Sequence, residues 1–161
     1  MNLSFRTAQP SDLPFIRKML YEAAFWRPGQ TRPPIESALA APELAKLLAD
    51  WGKQGDMGVI AIDDTMQTGA AWYRFWTDDN HSYGFVDAAI PELAIGVVED
   101  QRGRGVGKAL LRSLIEHARS NRIAALSLSV ERDNPALRLY KRIGFEIAES
   151  EGNAWTMVLE T

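Results

Sequence analysis

An α/β (α+β) fold in one domain, residues 1–161, is what this sequence predicts, and three observations predict it. Short segments that alternate with period two are interleaved with amphipathic segments of helical period. Apolar residues make up 46% of the chain and charged residues 24%, the usage of an ordinary globular protein. The chain is 161 residues long, within the roughly 100–200 residues that one core commonly serves, and shows no repeat, low-complexity tract or linker.

The elements follow in order. "NLSFRTA" alternates like a short strand, and "QPSDLPFIRKMLYEAAF" then offers Ser11 or Asp12 as a helix cap before Phe15, Ile16, Met19, Leu20 and Ala23 at helical spacing. "WRPGQTRPP" interrupts that pattern with turn-formers and reads as a surface loop carrying Trp26. A second helix is expected over about residues 42–51, with Leu44, Leu47 and Leu48 as its buried stripe and Gly52 beyond its end. "GVIAI", "DDTMQ" and "TGAAWYRFW" read as strand, polar turn and strand, a hairpin. The irregular polar stretch "TDDNHSYGFVDAAI" leads into a further strand, "ELAIGVV". From Val106 to Ser120, Leu110, Leu111, Leu114, Ile115 and Ala118 share one helix face. "AALSLSV" alternates leucine with serine as a half-buried strand. "DNPALRLYKRIGF" places Asn134 as N-cap, Pro135 at the first helical position and Gly144 at the stop. "FEIAESEGNAWTMVLE" closes the chain as a second hairpin turning at residues 151–153.

Composition removes several classes of function. A net charge of −3 and a pI near 5.4 argue against a general nucleic-acid binder, which would show a basic stripe or domain. There is no cysteine, so disulfides, thiolate-bound zinc and a cysteine nucleophile are excluded. The N-terminus has no apolar leader core and no apolar run approaches the roughly 20 residues that span a bilayer, so a cytoplasmic protein with no membrane partner is expected.

The chemistry concentrates in "QRGRGVGKALL", where Gly103, Gly105 and Gly107 precede an apolar helix among Arg102, Arg104 and Lys108. A helix begins with N–H groups that lack intrahelical partners and with the positive end of its dipole. Glycines at 103, 105 and 107 let the backbone approach a ligand closely and adopt positive φ, and the basic side chains add formal charge, so the stretch describes a phosphate cradle. A tight turn with solvated arginines is the plainer alternative. A P-loop ending at Gly107-Lys108 would need glycine at Arg102 and Ser or Thr at Ala109, and it fails at both. A dinucleotide fingerprint from Gly103 meets Lys108 where glycine is required, and one from Gly105 meets Leu110.

"RGRGVG" resembles the acetyl-CoA signature of the GCN5-related N-acetyltransferases (GNAT), Arg/Gln-x-x-Gly-x-Gly/Ala, with Arg102, Gly105 and Gly107 at the defining positions. "IGVVEDQ" is similar to that family's splayed strand. "SLSVERDNPALRLYKRIGF" is similar to its later strand and helix, with Asn134, Tyr140 and Gly144-Phe145 in place. The resemblance is strongest over residues 92–145. It implies a GNAT fold, a central mixed and mostly antiparallel twisted sheet of six to seven strands flanked by about four helices, with two splayed parallel strands at its centre. Those two would be residues 95–98 and 126–130.

The resemblance also implies a site and a donor, acetyl-CoA as co-substrate with no metal. Backbone around Arg102, Gly103, Arg104, Gly105, Val106, Gly107 and Lys108 would hold the CoA pyrophosphate. The pantetheine arm would pair with the strand containing Ile95, Gly96 and Val97, and the Ile95 amide would polarise the thioester carbonyl as charge develops there. Glycine at 96 fits a backbone kept open for that purpose or an ordinary bulge. Asn134 is explained as a helix cap, and a second contact to CoA is implied by resemblance only. Tyr140 is either core packing or, by resemblance, the general acid to the departing thiolate. An amine acceptor must lose a proton, and Glu92 is the preferred base, with Asp87, His81 and Tyr83 as alternatives. Without cysteine, direct transfer in a ternary complex is the economical route.

The resemblance implies that acceptor recognition falls to the first two helices, their loop and the strand hairpins, where Trp26, Trp72, Tyr73, Phe75, Trp76 and Tyr83 either line a pocket or pack the core. The expected function is therefore acetyl-CoA-dependent N-acetylation of a primary amine, of a small molecule before a protein N-terminus. A CoA-binding regulatory or sensor protein without turnover is the reading from another class. Dimers are frequent in the family, and a homodimer is one state the resemblance allows.

Overall fold

The computed structural model describes residues 1–161 and contains seven strands and five α-helices. In chain order these are β1 (Leu3–Thr7), α1 (Leu13–Ala24), α2 (Ile35–Ala40), α3 (Pro42–Ala45), β2 (Met57–Asp63), β3 (Met66–Arg74), β4 (Glu92–Val97), α4 (Val106–Ser120), β5 (Ala125–Glu131), α5 (Ala136–Ile143), β6 (Glu146–Glu151) and β7 (Ala154–Glu160). The strands are hydrogen-bonded in the order β1-β2-β3-β4-β5-β7-β6. Pairing is antiparallel for β1 with β2, β5 with β7 and β6 with β7, and parallel for β4 with β5, the mixed sheet that was expected. No helix is long and apolar enough to cross a membrane.

The chain contacts divide into two compact units, Met1–Trp72 with Ala94–Leu114, and Tyr73–Leu93 with Ile115–Thr161. In the first, β1 and β2 pair from Leu3↔Asp63 to Thr7↔Val59. The inner face of α1 buries Ile16, Met19 and Leu20 in a cluster with Leu39, Leu48, Ile60, Ala70 and Trp72. Each such aliphatic side chain contributes about 1.5–3 kcal/mol relative to exposure. Glycine at 96 has a packing reason of its own. A Cβ built there would lie 2.3 Å from the Met19 carbonyl oxygen, so the missing side chain is what lets the α1 backbone rest on β4.

Two sequence expectations are corrected in this unit. The single helix expected over residues 42–51 is instead the short α3 and a 3₁₀ turn, Lys46–Leu48, and α2 before it, Ile35–Ala40, is a helix the sequence reading did not assign. Ala41 stands before Pro42, and the proline ring drives it to an extended conformation, φ −60° and ψ 134°, which separates α2 from α3. Asp12 does not cap α1. Its carboxylate takes two bonds from Arg6, at 2.7 and 2.8 Å, and a third from the Gln9 amide at 2.7 Å. Those bonds, led by Arg6, hold the Asp12 carboxyl below the usual range.

In the second unit, β5 and β7 pair continuously from Ala125↔Glu160 to Glu131↔Ala154. The parallel register between β4 and β5 holds one pair, Glu92↔Ser127, beside a bond from the Ser127 amide to the Pro91 carbonyl at 3.0 Å. A ladder that short is what a splayed pair of parallel strands leaves. α5 buries Tyr140 and stops at Gly144, φ +121°, where the Gly144 and Phe145 amides both donate to the Tyr140 carbonyl. β6 is exposed along its length, and its register shift near Ile147 with its three glutamates discourages a further strand from adding to that edge.

Replacing Gly96 by Ala should destabilise the protein by about 1–3 kcal/mol or more, because the clash is with backbone rather than a movable side chain. Urea unfolding is the measurement, and an unchanged midpoint would show that α1 does not lie on β4 as described.

Candidate functional site

The glycine-rich stretch takes the form its sequence demands. After β4, a 3₁₀ turn at Glu99–Gln101 is closed by the Gln101 amide on the Val98 carbonyl at 2.9 Å. Arg102 is extended, and Gly103 and Gly105 both lie in the left-handed region, at φ +76° and +86°, whereas Gly107, expected to share it, lies inside α4 without a positive φ. A Cβ at Gly103 or Gly105 would meet nothing within 4 Å. Those glycines therefore serve backbone conformation and leave the ground before the helix open. The bond from the Ala109 amide to the Gly105 carbonyl, 3.1 Å, is one full helical turn in length. The amides of Val106, Gly107 and Lys108 precede it and belong to the first turn, where no intrahelical acceptor exists. Val106 is buried and anchors the turn, while Arg104 and Lys108 are exposed beside it. The arrangement suits a pyrophosphate group, with amides and dipole supplying directional contacts and the two cations supplying charge.

Arg102 takes another part. Sequence reasoning counted its charge in the cradle, but its guanidinium donates from Nη2 to Glu22 at 2.9 Å and from Nε to the Val97 carbonyl at 3.1 Å. It is a strut from the loop to the end of β4 and to α1. Within the same unit, Ile95 and Val97 are half-buried on β4 and Gly96 faces the Met19 carbonyl.

The second unit holds the other predicted residues. Tyr140 is 7% exposed, stands edge-on to Phe145 at 5.9 Å between ring centroids, and has its phenol pushed up to about 12 by burial. The phenol is thus neutral across the physiological range. The Asn134 carbonyl oxygen, Oδ1, accepts the Ala136 amide at 2.9 Å, which is the capping role expected, with the helix beginning one residue later than read. The Glu92 carboxylate, half-buried at the start of β4, accepts the Gly84 amide at 3.1 Å. Gly84 itself lies against β5, where an added Cβ would sit 2.7 Å from the Leu128 carbonyl carbon and 2.8 Å from the Ser129 nitrogen. Glu92 therefore holds the loop before β4 as well as presenting a carboxylate.

Among the alternative bases, His81 stacks on Phe85 at 4.5 Å, Asp87 accepts the Ala89 amide at 2.8 Å, and Tyr83 is 63% exposed. Of the aromatic residues considered for acceptor binding, Trp72, Tyr73 and Trp76 are buried, the packing role. Trp26 is half-buried with the Arg27 guanidinium 4.6 Å over its ring. Glu22 and Gly84 went unnoticed in the sequence. One is a charge on an amphipathic helix and the other a glycine in an irregular loop, and neither has a local signature.

Comparison with known proteins bears on the same segments. A family model described as the acetyltransferase (GNAT) family matches residues 21–145, taking in both units. The L-methionine sulfoximine/L-methionine sulfone acetyltransferase of Pseudomonas aeruginosa is 30% identical over 155 residues, 92% of this chain and 83% of that protein. The mycothiol acetyltransferase of Corynebacterium aurimucosum is 31% identical over 134 residues, and there the chain spans only 41% of the relative's length. Among solved structures, the PaiA N-acetyltransferase of Thermoplasma acidophilum in complex with coenzyme A superposes with a TM-score of 0.74 at 18% identity, covering 100% of both chains. The ribosomal-protein-alanine N-acetyltransferase of Brucella melitensis gives 0.71 at 23% identity, covering 98% of this chain and 99% of that one. At those identities the two structures establish the fold.

Gly105→Glu should abolish anion capture at the helix mouth, since it strains a left-handed position and sets a negative charge at the positive end of α4. Calorimetry with coenzyme A as probe should show affinity falling by about tenfold or more. Wild-type affinity would refute the cradle.

Proposed function

The chain belongs to the acetyltransferase (GNAT) family, and from that premise we propose that it transfers an acetyl group from acetyl-CoA directly to the primary amine of a small molecule. The observation that carries the reading is the mouth of α4, with three first-turn amides, two left-handed glycines and two exposed cations inside the family match. The relative spanned for 83% of its length supports a small acceptor, because its name gives L-methionine sulfoximine and sulfone, both amino acids, as what it acetylates.

Acetyl-CoA, when bound, supplies an activated thioester acyl group. The chain supplies the rest. Backbone of residues 102–108 would bind the pyrophosphate, with Asn134 as a further polar contact, and β4 from Ile95 to Val97 would pair with the pantetheine arm. The Ile95 amide would donate to the carbonyl oxygen as negative charge grows there, a preorganised dipole that needs no reorientation. Glu92 would take the ammonium proton, directly or through water, and its bond from the Gly84 amide fixes the carboxylate for that task. Tyr140, kept protonated by burial, would give its proton to the departing thiolate. With no cysteine to carry an acyl intermediate, the amine attacks the thioester directly.

Thiol release from acetyl-CoA against a panel of amino acids, methionine sulfoximine and sulfone, polyamines, aminoglycosides and peptide N-termini tests the reading. Turnover with a small amine is expected, and CoA binding without release across the panel would overturn catalysis. With the amine found, Tyr140→Phe should lower kcat by about tenfold or more with acetyl-CoA affinity nearly unchanged. Glu92→Gln, which keeps an acceptor for the Gly84 amide, should lose most activity near neutral pH and recover as pH approaches the amine's own pKa, where the base is no longer needed. A loss independent of pH would leave Glu92 as a loop anchor alone.

A further inference from the structure

Two arginines separated by 70 positions in the chain share one carboxylate. Glu22, near the end of α1 and with its side chain 12% exposed, accepts from Arg102 Nη2 at 2.9 Å and from Arg32 Nη1 at 3.1 Å, both on Oε2, and again from Arg32 Nη1 on Oε1 at 3.3 Å. Arg102 leads the glycine-rich loop. Arg32 belongs to loop 26–34, which Tyr21 also fastens, by a 2.7 Å bond from its hydroxyl to the Pro33 carbonyl and by its ring 5.7 Å beneath the Arg32 guanidinium. The two loops are thus tied to α1 through the same side chain.

One negative charge cannot fully neutralise two cations. Each guanidinium competes with the other for the same carboxylate, whose own side chain is 12% exposed. An anion arriving beside Arg102 offers it a second partner. As Arg102 turns toward that anion, Glu22 is left to Arg32, whose bonds then strengthen. The bond of Arg102 Nε to the Val97 carbonyl keeps the arginine beside the loop in either orientation.

We propose that Glu22 is a positioning residue that transmits donor binding to loop 26–34, by passing from Arg102 to Arg32 when the CoA pyrophosphate occupies the mouth of α4. The proposal rests on the CoA-binding reading above. It gives a physical basis for binding order, since the donor tightens a loop that the sequence assigns to acceptor recognition before the acceptor arrives. By linkage, a loop held firmly on Glu22 favours the donor in return.

Hydrogen exchange read by mass spectrometry on the full chain, with and without saturating coenzyme A, tests this together with calorimetry. In the wild type, coenzyme A should slow exchange of the amides of residues 29–32 by about threefold or more. Glu22→Gln should bind coenzyme A at least as tightly as wild type, because Arg102 is released from its partner, yet give no protection of that loop. A merely structural loss would weaken binding and loosen the loop together. Arg32→Met, which leaves the Glu22–Arg102 pair in place, should likewise bind coenzyme A without protecting residues 29–32, and it decides the matter should Glu22→Gln fail to fold. Protection that persists in either variant, or that is absent in the wild type while coenzyme A binds, overturns the relay. A wild-type chain that does not bind coenzyme A would instead overturn the functional reading on which the relay rests.

Discussion

Much of the first unit depends on one close approach, the Met19 carbonyl of α1 against the bare Cα of Gly96 on β4. A helix normally stands off a sheet by the length of a side chain, and here one residue has none. The consequence runs along both elements. With α1 drawn in, Ile16, Met19 and Leu20 reach Ile60, Ala70 and Trp72, and Glu22, one turn beyond Met19, comes within hydrogen-bonding distance of Arg102 just past the end of β4. The strut that steadies the loop before α4 is therefore set by packing at a glycine six residues earlier.

That loop shows how a chain with net negative charge can still gather positive ends at one place. Its directional contacts come from the first-turn amides of α4, and its residual charge from Arg104 and Lys108. Arg102, the residue a motif search weighs most heavily, is turned inward to Glu22 and Val97.

Glu92 and Tyr140 illustrate the same economy in the second unit. The Glu92 carboxylate orders Gly84 and is itself oriented by doing so, and burial that packs Tyr140 against Phe145 also holds its phenol neutral. For both residues a packing role and the proposed chemical role are compatible, because a proton-transfer group needs a fixed position, and packing supplies one.

The sequence by itself determined those elements whose cause is local. α4 was read with its observed bounds because its stripe of Leu110, Leu111, Leu114 and Ile115 is uninterrupted, and the left-handed Gly103, Gly105 and Gly144 were legible because no other residue tolerates those positions cheaply. The cap at Asn134 and both hairpins have equally short-range signals. Only tertiary structure decided the rest. The leucine stripe from Leu44 to Leu48 forms a short helix and a 3₁₀ turn rather than one long helix, Asp12 takes Arg6 six residues earlier in place of the helix it precedes, and Glu22 gathers arginines from positions 32 and 102. The physical reason is clearest at Glu22, whose partners lie 10 and 80 residues away. A turn or helix period is fixed by neighbours a few residues apart, whereas the partner of a charged side chain depends on which distant segments packing has already brought beside it.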